Sequence, residues 1–133
     1  MSSVKLNKMI EKLQLVNLVP EVSTDEIEIS SPEINRPALQ LAGYFEHFAS
    51  ERVQIIGYVE YTYLKSLDRD VKLANYEQFL SSDIPCVIYS TRTEPDEDMI
   101  ELAKKYHKPL LSSHRITSDL MAEVIRWLGV ELA

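Results

Sequence analysis

The chain has 133 residues, 45% of them hydrophobic, which is enough for one domain with a buried core. Its formal net charge of −7 argues against a general grip on the phosphate backbone of nucleic acid, which requires a basic face. No apolar run approaches the roughly 20 residues that span a bilayer, and the charged N-terminal segment is unlike a signal peptide. We therefore expect a single cytoplasmic domain over residues 1–133 that contacts neither nucleic acid nor membrane.

The first half of the chain predicts two helices among extended segments. Apolar residues at helical spacing predict a short helix from Ser3 to Leu13, and "LQLVNLVP" and "DEIEIS" then predict two brief extended pieces. A second helix is predicted over 37–49, with Asn35 as its N-cap, Pro37 in its first turn and Arg36 in solvent. The apolar segment "RVQIIGYV" predicts a strand covered on both faces.

The second half shows a clearer alternation of helices and strands. A helix is predicted from about Asp70 to Leu80, then a strand in "PCVIYS", a helix in "TEPDEDMIELAKKYH", a strand in "PLLSSH" and a helix in "TSDLMAEVIRWLGVEL". Thr93 and Asp96 stand at capping-box spacing, with Pro95 in the first turn. This alternation predicts an α/β fold with a mostly parallel sheet and helices on both faces. Three tyrosines are interpreted as lying near the end of the preceding strand: Tyr58, Tyr61 and Tyr63.

These residues lack the usual sequence motifs for phosphate and metal binding. The glycines are too far apart for a G-x-G-x-x-G loop and none precedes a lysine, so no Walker A motif is present. The histidines and the single cysteine do not have the spacing of a zinc site. The acidic residues 94–98 are explained by the macrodipole of the helix that they begin. Cys86, inside an apolar strand, is predicted to be a buried and unreactive thiol.

Polar residues follow several predicted strands, at the edge where open parallel sheets bind ligands. If Asn35 and Arg36 share that edge, the arginines there would converge on a pocket for a phosphate or carboxylate. The alternative is that the arginines offset surface acids and the hydroxyls cap helices. Ser113 and His114 are not read as a nucleophile and base, because neighbours in a strand point to opposite faces. The candidate ligand-binding residues are Asn35, Arg36, Thr91, Arg92, Ser112, Ser113, His114 and Arg115.

The segment "INRPALQLAGYFEHFASERVQIIGYVEYTYL", residues 34–64, resembles the signature segment of the N-terminal domain of HPr kinase/phosphorylase. It contains the Asn-Arg-Pro turn, the "LQLAG" helix, the "FASER-x-QIIG" strand entry and the "E-x-T-Y-L" segment of that family. "IPCVIYSTRTEP" and "KPLLSSHRITSDLMAEVIRWL" resemble later segments of the same family, so the resemblance covers most of the chain. It implies a fold similar to the N-terminal uridine-nucleotide-binding domains of Mur ligases.

The resemblance implies a non-catalytic accessory or regulatory domain. Full-length members phosphorylate a serine of the phosphocarrier HPr, using ATP or pyrophosphate with Mg²⁺, and remove the phosphate by phosphorolysis in bacterial carbon catabolite control. Their catalysis lies in a C-terminal P-loop domain that these residues do not include, so we expect no catalytic residue, cofactor or metal here. The implied partners are that kinase domain and other subunits of a homo-oligomer, hexameric in the family, with HPr bound only through the full enzyme.

A second interpretation stays open. The chain could be a free-standing sensor that binds an anionic metabolite or nucleotide at the C-terminal edge of the sheet. Whether the chain is a piece of a longer protein or a natural short relative is likewise left open by the sequence.

Overall fold

The computed structural model describes residues 2–133, in which short strands alternate with helices. The strands are β1 (Val4–Lys5), β2 (Val16–Asn17), β3 (Glu28–Ile29), β4 (Ile34–Asn35), β5 (Val53–Ile56), β6 (Val87–Tyr89) and β7 (Leu110–Ser112). The helices are α1 (Leu6–Lys12), α2 (Ala38–Leu41), α3 (Tyr58–Ser66), α4 (Arg69–Leu80), α5 (Glu97–Lys105) and α6 (Thr117–Glu131). None of these helices is long and apolar enough to cross a membrane.

The main sheet has five strands in the order β2-β7-β6-β5-β4. Strands β4, β5, β6 and β7 are parallel to one another, and β2 pairs antiparallel with β7 at one edge. Strands β1 and β3 form a separate antiparallel pair. The predicted α/β class with a mostly parallel sheet is therefore confirmed.

Alternate residues of each central strand enter two different core clusters. On β5, Ile55 joins a cluster with α1 and α6, whereas Ile56 joins a second cluster with α2 to α5. On β6, Ile88 belongs to the first cluster and Tyr89 to the second. Because successive side chains of a strand point to opposite faces, helices cover both faces of the sheet, as predicted.

The helix predicted over 37–49 is wrong beyond its first turn. Helix α2 ends at Leu41, because Gly43 adopts the left-handed conformation (φ +100°) that commonly ends helices. His47, at φ 61°, prevents the helix from resuming. Phe45 and Phe48 nevertheless pack against the second core cluster from irregular turns. Their helix-like spacing thus reflects burial and not helical backbone.

The strand predicted from "RVQIIGYV" ends at Ile56, and helix α3 begins two residues later at Tyr58. The three tyrosines interpreted as lying near the strand end are therefore helical, which corrects their assignment: Tyr58, Tyr61 and Tyr63. The signal missed in the sequence is Glu60. Its carboxylate accepts a 2.6 Å hydrogen bond from the Gly57 amide, an arrangement typical of a helix start.

Two predicted helix starts also need correction. Asp96, and not Thr93, caps α5, since its carboxylate accepts a 2.8 Å hydrogen bond from the Met99 amide. Pro95 thus precedes the cap and lies outside the first turn. The first helix begins at Leu6 and not at Ser3, because residues 4–5 pair with β3. The helix predicted from about Asp70 to Leu80 is confirmed as α4.

Cys86 is fully buried immediately before β6, and this burial raises the pKa of its thiol to about 12. We expect iodoacetamide at mildly alkaline pH to leave Cys86 unmodified in the native chain, because the thiolate is the reactive species. Mass spectrometry after denaturation should then show full modification. Equal labelling rates in native and denatured samples would contradict this prediction.

Candidate functional site

The candidate residues lie at the carboxyl ends of three of the four parallel strands, β4, β6 and β7, and these ends share one edge of the sheet. Asn35 ends β4, and Ile34 and Asn35 pair in register with Val53 and Gln54 of β5. Residues 90–92 follow β6, and residues 113–115 follow β7. The parallel pairing therefore places all the candidate positions on the same edge.

Asn35 is not the N-cap of α2, in contrast to the prediction. Pro37 occupies the cap position, and no side chain of the described residues caps this helix. The Asn35 amide instead donates hydrogen bonds to Gln54 (2.8 Å) and Gln40 (3.2 Å). Both glutamines are buried, so Asn35 ties β4 to α2 and β5 inside the domain and has a structural role.

Arg36, expected in solvent, forms a two-pronged ion pair with Glu60 of α3. Its Nη2 lies 2.7 and 2.9 Å from the two carboxylate oxygens, and its Nε lies 3.1 Å from Oε1. The Glu60 side chain is only 4% exposed and also accepts from the Gly57 amide. A planar guanidinium matches a carboxylate in this way, so the pair locks the turn after β4 to the start of α3.

Gly57 has no room for a side chain. A Cβ at this position would lie 2.6 Å from Thr117 Cγ2 and 2.7 Å from Arg36 Nη2. The Thr117 hydroxyl in turn donates a 2.8 Å hydrogen bond to the hydroxyl of Ser90. The ends of β5 and β6 and the start of α6 are therefore packed together at the centre of this edge.

Arg115 is also engaged within the protein. Its Nη1 donates a 2.6 Å hydrogen bond to the Leu13 carbonyl at the end of α1. Ser113 is buried and its hydroxyl accepts from the Arg115 amide at 3.1 Å. His114 is exposed and Ser112 is half-buried. Arg115 therefore binds a carbonyl at the end of a helix, which is neither the ligand contact nor the surface-acid pairing considered from the sequence.

Arg92 differs from the other two candidate arginines. It is exposed, adopts a left-handed backbone (φ 64°) and makes no hydrogen bond or ion pair with any residue in 2–133. It borders a cleft of about 440 Å³ that we call the sheet-edge cleft, lined by Tyr58, Thr91, Arg92, Ile116 and Thr117. The three arginines therefore lie on one edge, but the structure leaves only this guanidinium without a partner among the described residues.

A second cleft was not found from the sequence. It has a volume of about 270 Å³, and we call it the tyrosine cleft, lined by Tyr61, Leu64, Lys65, Lys72, Tyr76, Tyr89, Glu94, Pro95 and Asp96. One Asp96 oxygen accepts hydrogen bonds of 2.8 Å from both Lys72 and the Tyr76 hydroxyl. Burial, followed by the nearby Asp96 charge, raises the pKa of Tyr76. The spacing of Lys72 and Tyr76 on one face of α4 was the available sequence signal.

The described residues do not fit an ATP and magnesium site of the P-loop type. Gly57 is the glycine that follows a strand of the sheet. Its amide donates a hydrogen bond to the Glu60 carboxylate, so this amide is not available to bind a phosphate. Within residues 2–133 no three His, Cys, Asp or Glu side chains are grouped so that they could hold a metal ion.

Sequence comparison identifies the family. The family model described as HPr Serine kinase N terminus matches residues 4–128. The chain belongs to this family. It is 44% identical over 133 residues to the HPr kinase/phosphorylase of Lachnoclostridium phytofermentans, and 38% identical over 133 residues to that of Alkaliphilus metalliredigens. It spans about 43% of the length of each of these relatives. The resemblance inferred from residues 34–64 is therefore confirmed, and the chain corresponds to the N-terminal domain of these proteins.

A solved structure shares the fold. It contains the CBS and DRTGG domains of the regulatory region of Clostridium perfringens pyrophosphatase, in complex with the activator diadenosine tetraphosphate. The TM-score is 0.53 at 16% sequence identity, and the match covers 91% of this chain and 45% of that one. This likeness concerns the fold alone. The expected similarity to Mur ligase N-terminal domains stays a prediction.

Proposed function

We propose that this chain is a non-catalytic accessory or regulatory domain of an HPr kinase/phosphorylase. The observation that carries the proposal is the family match over residues 4–128, joined to a sequence with no P-loop motif. In the full enzyme, phosphorylation and phosphorolysis of the HPr serine, with ATP or pyrophosphate and Mg²⁺, belong to a separate kinase domain. The enzyme is then cytoplasmic, and this domain contacts the kinase domain and other subunits of a homo-oligomer.

An exposed apolar surface supports a role in such contacts. Tyr58 and Val59 at the start of α3 are 58% and 68% exposed. They border a cleft of about 380 Å³ together with Met121 of α6. Large apolar and aromatic side chains clustered on a surface are typical of protein–protein interfaces. This edge is therefore where we place the contact with the rest of the enzyme.

The isolated chain of 133 residues is expected to transfer no phosphate to HPr. The purified chain would be incubated with HPr, Mg²⁺ and either ATP or pyrophosphate, and phosphoserine would be measured by mass spectrometry. The full-length relative from L. phytofermentans serves as the positive control. Phosphoserine on HPr above the protein-free blank would contradict the non-catalytic assignment.

A second candidate function is the binding of an anionic metabolite or nucleotide at the sheet-edge cleft. The observation that favours it is Arg92, which has no partner in residues 2–133 and whose left-handed backbone is unusual for a residue other than glycine. A guanidinium with free donors suits a phosphate or carboxylate. The other candidate residues on this edge would then shape the cleft and not contact the ligand.

We expect a cognate anion to raise the melting temperature of the chain, because a ligand at 100 times its Kd stabilises a protein by about 2.7 kcal/mol. Sugar phosphates, nucleotides and pyrophosphate would be screened by thermal shift. Arg92→Gln should abolish the shift, whereas Arg126→Gln, a matched change at an exposed arginine of α6, should preserve it. If no compound in the screen produces a shift, this second function is rejected.

A further inference from the structure

The tyrosine cleft contains a hydroxyl that no group in residues 2–133 satisfies, on a residue that is almost entirely buried. Tyr89 ends β6, is only 2% exposed and lines the cleft. Its hydroxyl makes no hydrogen bond with any residue of the described chain, 2–133. Among the described residues, Arg52 Nε is the side-chain polar atom that is itself fully buried without a partner, so the Tyr89 hydroxyl oxygen is reached from the open space of the cleft. The Tyr89 hydroxyl is therefore available to form a hydrogen bond with a molecule that occupies the cleft.

Both carboxylate oxygens of Asp96, near Tyr89 in the cleft, already accept hydrogen bonds from the protein. One oxygen of Asp96 accepts from the Met99 amide at 2.8 Å, and the other accepts from Lys72 and Tyr76. Its negative charge is balanced by the Lys72 ammonium at 2.8 Å and by the first turn of α5. Asp96 thus positions its neighbours and offers little capacity to a ligand.

The unused capacity of the cleft consists of hydrogen-bond donors. The Lys72 side chain is 16% exposed and donates to Asp96 alone among the described residues, which leaves two of its three N–H groups. Lys65 adds a second ammonium at the rim, 4.2 Å from the centre of the Tyr61 ring, and the exposed carboxylate of Glu94 also lines the cleft. Donors near a helix start favour an anionic acceptor.

The floor of the same cleft is apolar. Leu64 and the rings of Tyr76 and Tyr89 are buried and belong to the core cluster beneath it. Ligand sites typically combine such a surface with a few convergent polar groups. The volume of about 270 Å³ limits the occupant to a small molecule.

We propose that the tyrosine cleft binds a small organic anion. Its carboxylate or phosphate accepts hydrogen bonds from Tyr89 and Lys72, and its apolar or planar body packs on Leu64 and the tyrosine rings. The site is distinct from the sheet-edge cleft, and the proposal goes beyond the accessory function. Rejection of this binding site would therefore leave the accessory function standing, and the reverse also holds.

The test uses backbone amide NMR of the whole chain titrated with four probes. Benzoate and phenyl phosphate carry both an anionic group and a planar body, benzyl alcohol lacks the charge, and inorganic phosphate lacks the body. We expect one or both of the first two to shift the amides of Leu64, Lys72 and Tyr89, with benzyl alcohol and inorganic phosphate clearly weaker. The stronger of benzoate and phenyl phosphate identifies the preferred anionic group.

Tyr89→Phe removes only the unpaired hydroxyl. Because that hydroxyl has no partner in residues 2–133, we expect the variant to fold with unchanged or higher stability, while affinity for the anionic probe falls by about tenfold or more. Tyr63→Phe, at a half-exposed tyrosine of α3 outside the cleft, should leave affinity unchanged. The proposal is overturned if neither anionic probe shifts the cleft amides at millimolar concentration, if the shifts fall around Arg92 and Ile116 instead, or if Tyr89→Phe binds as tightly as the parent.

Discussion

Glu60→Ala is expected to lower the free energy of unfolding by about 3 kcal/mol. Removing one partner of a buried ion pair typically costs about 3–5 kcal/mol, because the other partner keeps its desolvation penalty. The lower end applies here, since the Arg36 side chain is 29% exposed and can regain water. The substitution also leaves the buried Gly57 amide without its 2.6 Å acceptor at the start of α3.

Urea denaturation at neutral pH measures this change. Glu33→Ala is the matched control, because Glu33 pairs with Arg52 at 2.7 Å but is 65% exposed, and such pairs contribute about 1 kcal/mol or less. The loss of unfolding free energy for Glu60→Gln should lie between those for Glu60→Ala and Glu33→Ala, since the amide oxygen can still accept a hydrogen bond from the Gly57 amide. Equal losses for Glu60→Ala and Glu33→Ala would show that the Arg36–Glu60 pair does not hold this edge together.

Asp96→Ala is expected to destabilise the chain by roughly 2–4 kcal/mol. Loss of the N-cap of α5 accounts for about 1 kcal/mol, and a buried Tyr76 hydroxyl left without its acceptor adds about 1–3 kcal/mol. Lys72 also loses its counter-ion, in a side chain that is largely buried. The effect is large because one carboxylate joins α4 to the start of α5.

Asp98→Ala provides the comparison two residues away. Asp98 pairs with the exposed Arg69 at 3.1 Å, and this hydrogen bond lowers the pKa of Asp98, but exposed pairs contribute about 1 kcal/mol or less. Thermal and urea denaturation of both variants would be compared with the parent chain. If Asp96→Ala were as stable as Asp98→Ala, the hydrogen bonds around the tyrosine cleft would carry no net stability.

Apolar periodicity predicted the second half of the fold well, because β6, β7, α5 and α6 are regular elements with one buried stripe or two buried faces. It failed over 37–49, where Phe45 and Phe48 keep helical spacing but are buried from turns after Gly43. It also failed at Tyr58, since an apolar run does not show where a strand ends and a helix begins. The capping contact between Gly57 and Glu60 decides that boundary.

The parallel order of the strands predicted where the candidate residues lie. It did not predict which groups form hydrogen bonds or ion pairs with them. Arg36 meets Glu60 across 24 residues of sequence, and Arg115 meets the Leu13 carbonyl across 102. Long charged side chains can reach many partners, and no local pattern selects among them. The hypothesis of three converging arginines therefore placed them on the correct edge but could not assign their contacts.

The sequence by itself determined the family, the α/β alternation and the lack of a phosphate-binding loop in these residues. These features depend on local patterns: ordered motifs, the period of apolar residues and the spacing of glycines. Only the tertiary structure decided which polar groups stay available, namely Arg92 at the sheet edge and the Tyr89 hydroxyl in the tyrosine cleft. The reason is physical, because a polar group becomes free or occupied through contacts between elements that are distant in the chain.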